Sequence, residues 1–158
     1  MILHGRVGTG RVGPGVDEGI TMFETKIKVR YAETDAMGVV HHSVYFIWFE
    51  AARVEFLDQS GLPYAELERR GFFLPVTDAG CRYSKPLRFG DTVRVRLEIV
   101  KLSAVGMRIR YQVLKDSDGS KTAEGYTVHP VINRESRIVP MPEDLRMIFK
   151  RLMDGNGR

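Results

Sequence analysis

The chemistry-bearing residues of this chain crowd into one stretch: Tyr31-Ala-Glu-Thr-Asp35-Ala-Met-Gly38-Val-Val-His41-His42-Ser-Val-Tyr45-Phe. Two carboxylates, two histidines and a glycine fall within a dozen positions. They lie between an alternating segment and the start of a long apolar one. A helix N-terminus presents unpaired N–H groups and the positive end of the helix dipole. Such donors stabilise a developing oxyanion. A carboxylate set opposite them can attack an acyl carbon or activate water to do so. Those are the parts that acyl transfer requires. The same residues have a plainer use, since Asp35-Ala-Met-Gly38 has Asp first and Gly fourth, as a type I turn prefers. His41 and His42 are neighbours, expected to point in different directions, so at most one faces a site. No third ligand stands at a typical spacing, so the pair does not make a metal site.

Three further features carry charge or a thiol. Glu50 and Arg53 interrupt an apolar helix, where they either pair at i,i+3 or line a pocket. Lys85-Pro-Leu-Arg88-Phe-Gly-Asp91 is a basic loop, either a solvated turn or a phosphate contact. Cys81 is the single cysteine. It can form no internal disulfide and reads as a small, buried strand residue.

The elements that must position these residues follow from periodicity. Phe23, Thr25, Ile27 and Val29 alternate with Glu24, Lys26, Lys28 and Arg30, which predicts a strand with one wet face. Residues 43–60 lack Gly and Pro and exceed strand length. They predict a helix with Ser43 as N-cap and Gly61 as its stop. Its apolar residues occupy nearly every side, so burial all round is expected. A short helix over 63–70 follows. Segments 72–83 (with an interruption), 91–100, 105–113 and 121–132 predict antiparallel strands, with Asp118-Gly119 as a hairpin turn and Gly125 at a bulge. Residues 142–153 predict a closing helix. An antiparallel sheet curled around one apolar helix satisfies every segment, an α+β arrangement. The remaining sheet face and its edges invite a second copy.

The composition is 43% hydrophobic and 28% charged over 158 residues, enough apolar material for one domain with a core. Residues 1–21 hold a Gly-rich run and read as a flexible leader, with the domain over 22–158. No apolar run is long enough for a membrane span, and the N-terminus lacks a signal-peptide core, so a cytoplasmic address is expected. A net charge of +4, with bases and acids interspersed, argues against nucleic acid as partner and suits an anionic small molecule.

The block Val29-Arg-Tyr-Ala-Glu-Thr-Asp35-Ala-Met-Gly-Val-Val-His-His42-Ser-Val-Tyr45-Phe, followed by Phe49-Glu50-Ala-Ala-Arg53 and Tyr83-Ser-Lys85-Pro-Leu-Arg88-Phe-Gly-Asp91, resembles the hotdog-fold acyl-CoA thioesterases of the 4-hydroxybenzoyl-CoA thioesterase type. The likeness is strongest to the YbgC-like branch associated with the Tol-Pal system. The resemblance implies a hotdog fold, with the central helix as sausage and the sheet as bun. It implies dimers built by edge pairing of sheets, often pairing again as tetramers, with sites at the dimer interface. Asp35 matches the catalytic carboxylate. His42 matches the helix-start position whose N–H polarises the thioester carbonyl. Tyr31, Gly38, Val40, His41, Glu50, Lys85 and Arg88 would lie along the substrate, the last two toward the nucleotide end of coenzyme A. Met37 departs from the small residue expected between Asp35 and Gly38, and would reshape the acyl pocket. No cofactor or metal is implied, coenzyme A being part of the substrate; acyl carrier protein is the other possible carrier. A hotdog hydratase or dehydratase, and a non-catalytic acyl-CoA-binding module, are the competing readings, since fold alone does not settle chemistry.

Overall fold

The computed structural model of the chain describes residues 22–154; the leader expected over 1–21 lies outside them. Five strands form one antiparallel sheet in the order β1-β3-β4-β5-β2. They are β1 (Phe23–Lys28), β2 (Asp78–Tyr83), β3 (Thr92–Leu102), β4 (Gly106–Lys115) and β5 (Lys121–Pro130). The helices are α1 (Val44–Gln59), α2 (Tyr64–Arg69) and α3 (Glu143–Asp154). The α+β hotdog arrangement is as expected: the sheet curls around α1, and α3 packs beside it on the same face.

Alternation decides which side of each strand meets α1. Val93, Val95, Leu97 and Ile99 of β3, with Met107, Ile109, Tyr111 and Val113 of β4, are buried. Phe49 of α1 stacks flat on Tyr111 with ring centroids 4.3 Å apart. Phe56 meets Phe149 of α3 at 5.9 Å. Fully burying such a side chain is worth roughly 1.5–3 kcal/mol, so this contact line holds α1 in the curl.

Three expectations need correction and one is sharpened. First, α1 is not buried all round: Ile47, Glu50 and Val54 form an exposed stripe at i, i+3 and i+7. Aromatic content hid a stripe that periodicity alone could not resolve. Second, the sheet face expected to invite a second copy carries charged pairs. Arg94 and Arg96 bridge to Glu24, and Arg110 bridges to Glu98 across strands. Third, the expected interruption of segment 72–83 is long: a single bridge joins Phe73 to Ile132, and the regular strand runs only over Asp78–Tyr83. Pro75 interrupts it by removing a donor. Fourth, Gly125 is in regular register with Tyr111 and Cys81. The sheet irregularities lie at Ile99/Lys101 and Val113/Leu114 instead. Gly125 is there for space: a Cβ on it would stand 2.6 Å from both the Gly80 carbonyl and the Phe49 ring.

Candidate active site

The Asp35 segment is a small closed hairpin. A 3-10 turn over Tyr31–Glu33 starts it, and a bridge pairs Thr34 with Val40. The Asp35 N–H donates to the Val39 carbonyl at 2.8 Å, and the His41 N–H to the Glu33 carbonyl at 2.9 Å. The expected turn is present as well: the Gly38 N–H donates to the Asp35 carbonyl at 2.9 Å, and Gly38 has φ +74. A left-handed φ is what glycine adopts without strain.

Within this hairpin the Asp35 carboxylate is half-buried. Its Oδ1 accepts the Met37 N–H at 2.9 Å and the Val39 N–H at 3.4 Å. Its Oδ2 accepts nothing among the described residues. The turn role and a catalytic role are therefore compatible, because one oxygen orients the group and the other is left over.

Glu33 secures the hairpin, a part sequence reasoning did not assign. It is buried and its carboxylate gathers three donors: the Arg30 N–H at 2.8 Å, the Arg30 guanidinium at 3.2 Å and the Trp48 indole N–H at 3.2 Å. The last contact ties the hairpin to α1. A carboxylate three residues from an arginine and fifteen from a tryptophan gives no local signal for that tie.

The start of α1 supplies the donor. Ser43 precedes the helix but makes no side-chain cap to it. Its hydroxyl faces His41 Nδ1 at 2.7 Å, and its N–H donates to the same nitrogen at 3.2 Å. The Val44 N–H donates to the His41 carbonyl at 3.0 Å. The His42 N–H donates to no acceptor among the described residues. Its carbonyl is held by the Tyr83 hydroxyl of β2 at 2.7 Å, a second contact missed from sequence. The two histidine rings do not diverge, as expected for neighbours, but lie against each other with centroids 4.1 Å apart. Burial, then the nearby Cys81, pushes the Tyr45 phenol up to about 12, so it stays neutral.

The basic loop comes to the same place. The Val40 N–H donates to the Leu87 carbonyl at 2.8 Å. A Cβ on Gly38 would stand 3.7 Å from Arg88 Nη1. Arg88 and Lys85 are exposed, and Arg88 is oriented by its N–H bond to Asp91 at 2.9 Å. Tyr31 is 76% exposed and meets Phe89 edge-on at 5.8 Å. Thus Tyr31, Asp35, Gly38, His41, His42, Lys85 and Arg88 are brought to one end of the molecule. Val40 sends its side chain into the core. Glu50 stands apart, two turns along α1, at the rim of a cavity of about 240 Å³. It makes no ion pair with Arg53 among the described residues, so the i,i+3 pairing is not formed. Cys81 is a half-buried strand residue of β2, its thiol pushed up by burial and so protonated. Among the described residues no group of three potential ligands could hold a metal ion.

Comparison with known proteins agrees with this architecture. A hypothetical protein from Thermus thermophilus is 46% identical, with TM-score 0.76, over 82% of this chain and 98% of its own. A DHNA-CoA thioesterase from Staphylococcus aureus is 29% identical, with TM-score 0.78, over 83% and 90%. A 1,4-dihydroxy-2-naphthoyl-CoA hydrolase of Synechococcus is 33% identical over 129 residues, 74% of this chain and 83% of its own. The pattern defining the thioesterase-like superfamily matches residues 29–149. The chain belongs to the thioesterase-like superfamily.

Proposed function

We propose that this protein hydrolyses acyl-thioesters of coenzyme A, with Asp35 as the reacting carboxylate and the His42 N–H as oxyanion donor. The observation that carries the reading is the unspent His42 N–H at the start of α1, in the same hydrogen-bonded hairpin as a carboxylate with one free oxygen. Ionised Asp35 takes a proton from water as the oxygen adds to the acyl carbon. The carbonyl electron pair moves onto oxygen and is held by the amide. Collapse of that intermediate breaks the C–S bond, and the thiolate leaves with the proton. Direct attack by Asp35 is the other route: it forms a mixed anhydride, which water then opens. A single turnover in ¹⁸O-water tests this route: label in Asp35 requires direct attack, with water opening the anhydride at the aspartyl carbon.

Lys85 and Arg88 suit the phosphates of the nucleotide end. That supports coenzyme A over acyl carrier protein as the carrier. The named activities of the relatives support the same class of reaction. The YbgC-like motif in residues 29–53 supports placement in that branch. Asp35 is not in the lining of the cavity of about 240 Å³ beside α1, which fits a separate site completed by a second copy. The free edge of β2 and the Ile47, Val54 stripe offer the surface for that pairing, and a tetramer would pair such dimers again. No helix among the described residues is long and apolar enough to cross a membrane. The test is thiol release from a panel of short, long-chain and aromatic acyl-CoAs. Release from at least one supports the reading. Binding without release favours a carrier or sensor, and interconversion of enoyl- and hydroxyacyl-CoA without release favours a hydratase.

A further inference from the structure

The cavity of about 240 Å³ between α1, the segment before β2 and the sheet is mostly apolar, with a few polar groups in its lining. Its walls are Phe56, Leu57, Leu74, Met107, Ile109 and Phe149, and Arg53 and His129 lie in the same lining. These two polar groups are joined by a directed chain of hydrogen bonds. Arg53 Nη1 donates to the Tyr111 hydroxyl at 3.1 Å. Tyr111 and Thr127 Oγ1 are 2.9 Å apart, Thr127 Oγ1 and His129 Nε2 2.7 Å, and His129 Nδ1 and the Leu74 carbonyl 3.2 Å. A carbonyl only accepts, so Nδ1 carries the proton and Nε2 accepts from Thr127. Thr127 then accepts from Tyr111, whose oxygen accepts from Arg53. Both hydroxyls and the imidazole N–H thus have acceptors, with the histidine neutral and the Arg53 guanidinium heading the chain.

Arg53 is half-buried and forms no ion pair among the described residues. A guanidinium presents five N–H donors, and one of them is spent on Tyr111. Charged groups drawn out of water are normally paired. The one acid at this cavity is Glu50, exposed at its rim.

We propose that the cavity binds an apolar group ending in a carboxylate, with Arg53 taking the carboxylate and the six apolar side chains taking the body. Two sources share that chemistry: the free acid released by the proposed hydrolysis, or the far end of an acyl group that carries a second carboxylate. The link to hydrolysis rests on the proposed function; the binding itself does not.

Calorimetry on the full chain tests it, with decanoate and 2-naphthoate against decanol and 2-naphthalenemethanol. The carboxylates are expected to bind at least tenfold more tightly than the alcohols. Arg53→Met should abolish that preference, Arg53→Lys should keep it at weaker affinity, and Glu50→Gln should strengthen it by removing a repelling charge. Equal binding of alcohols and acids, no binding at all, or a preference unchanged in Arg53→Met overturns the proposal. Thiol release separates the sources. If Arg53→Met slows ω-carboxydecanoyl-CoA but not decanoyl-CoA, the carboxylate belongs to the substrate. If it relieves inhibition by decanoate alone, the occupant is the released acid. Failure of every acyl-CoA to release thiol would sink the hydrolase reading while the calorimetry still decides this one.

Discussion

Lowering the pH should destabilise this protein through one histidine. His129 is 1% exposed on β5, and burial, aided by the charge of Arg53, pulls it from 6.5 down to about 4. Its pKa is lower folded than unfolded, so between these values the unfolded chain binds more protons. Stability from this group is therefore complete above about pH 6.5 and is lost as the pH falls toward 4. At pH 4.5 the unfolded histidine is almost fully protonated and the folded one mostly neutral. The difference amounts to about 2–3 kcal/mol, from 1.36 kcal/mol per pKa unit. The assay is urea denaturation at pH 7.5 and 4.5, for the wild type and for His129→Gln, which retains a donor and an acceptor but does not titrate there. The other titrating groups are common to both proteins, so their effects cancel in the comparison. The wild type should lose about 2–3 kcal/mol more than the variant over that interval. Equal losses would refute the claim that the hydrogen-bond chain holds a neutral imidazole.

Three further outcomes follow from the geometry. Glu33→Ala leaves the Trp48 indole and the Arg30 N–H without their acceptor, which should cost about 2–4 kcal/mol in urea denaturation and lower turnover by loosening the hairpin. His42→Ala keeps the backbone N–H and should retain most thiol-releasing activity, whereas His42→Pro removes it and should cost about 10²–10³ in kcat; equal activity in the two variants would remove the amide from the mechanism. Gly125→Ala drives a Cβ to 2.6 Å from a carbonyl and from the Phe49 ring, so its thermal midpoint should fall by an amount matching about 1–3 kcal/mol.

What the sequence disclosed depended on how local the cause was. Strict alternation in β1, β3 and β4 showed both the strands and their inward faces, because side-chain period and burial coincide there. The Asp35 hairpin was legible as a turn, and its motif suggested the reacting role proposed above for its carboxylate. Glu33 and Tyr83 were not, since their partners Trp48 and His42 lie fifteen and forty-one residues away. The exposed stripe on α1 was hidden because Ile47 and Val54 are as apolar as the residues they replace on the buried sides. The polar chain from Arg53 to His129 joins α1, β4 and β5, and its members carry no spacing in common. Gly125 looked like a bulge because a glycine in a strand has two physical causes, and only packing against Phe49 separates them.

The central claim is that the free oxygen of the Asp35 carboxylate drives the chemistry. Asp35→Asn keeps the Oδ1 acceptor for Met37 and Val39, so the hairpin should persist. The deciding measurement is single-turnover thiol release from the best acyl-CoA of the panel, wild type against Asp35→Asn, with substrate affinity measured in parallel. The account predicts a rate lowered by roughly 10²–10⁴ at near-unchanged affinity. An asparagine variant that releases thiol at the wild-type rate would contradict it.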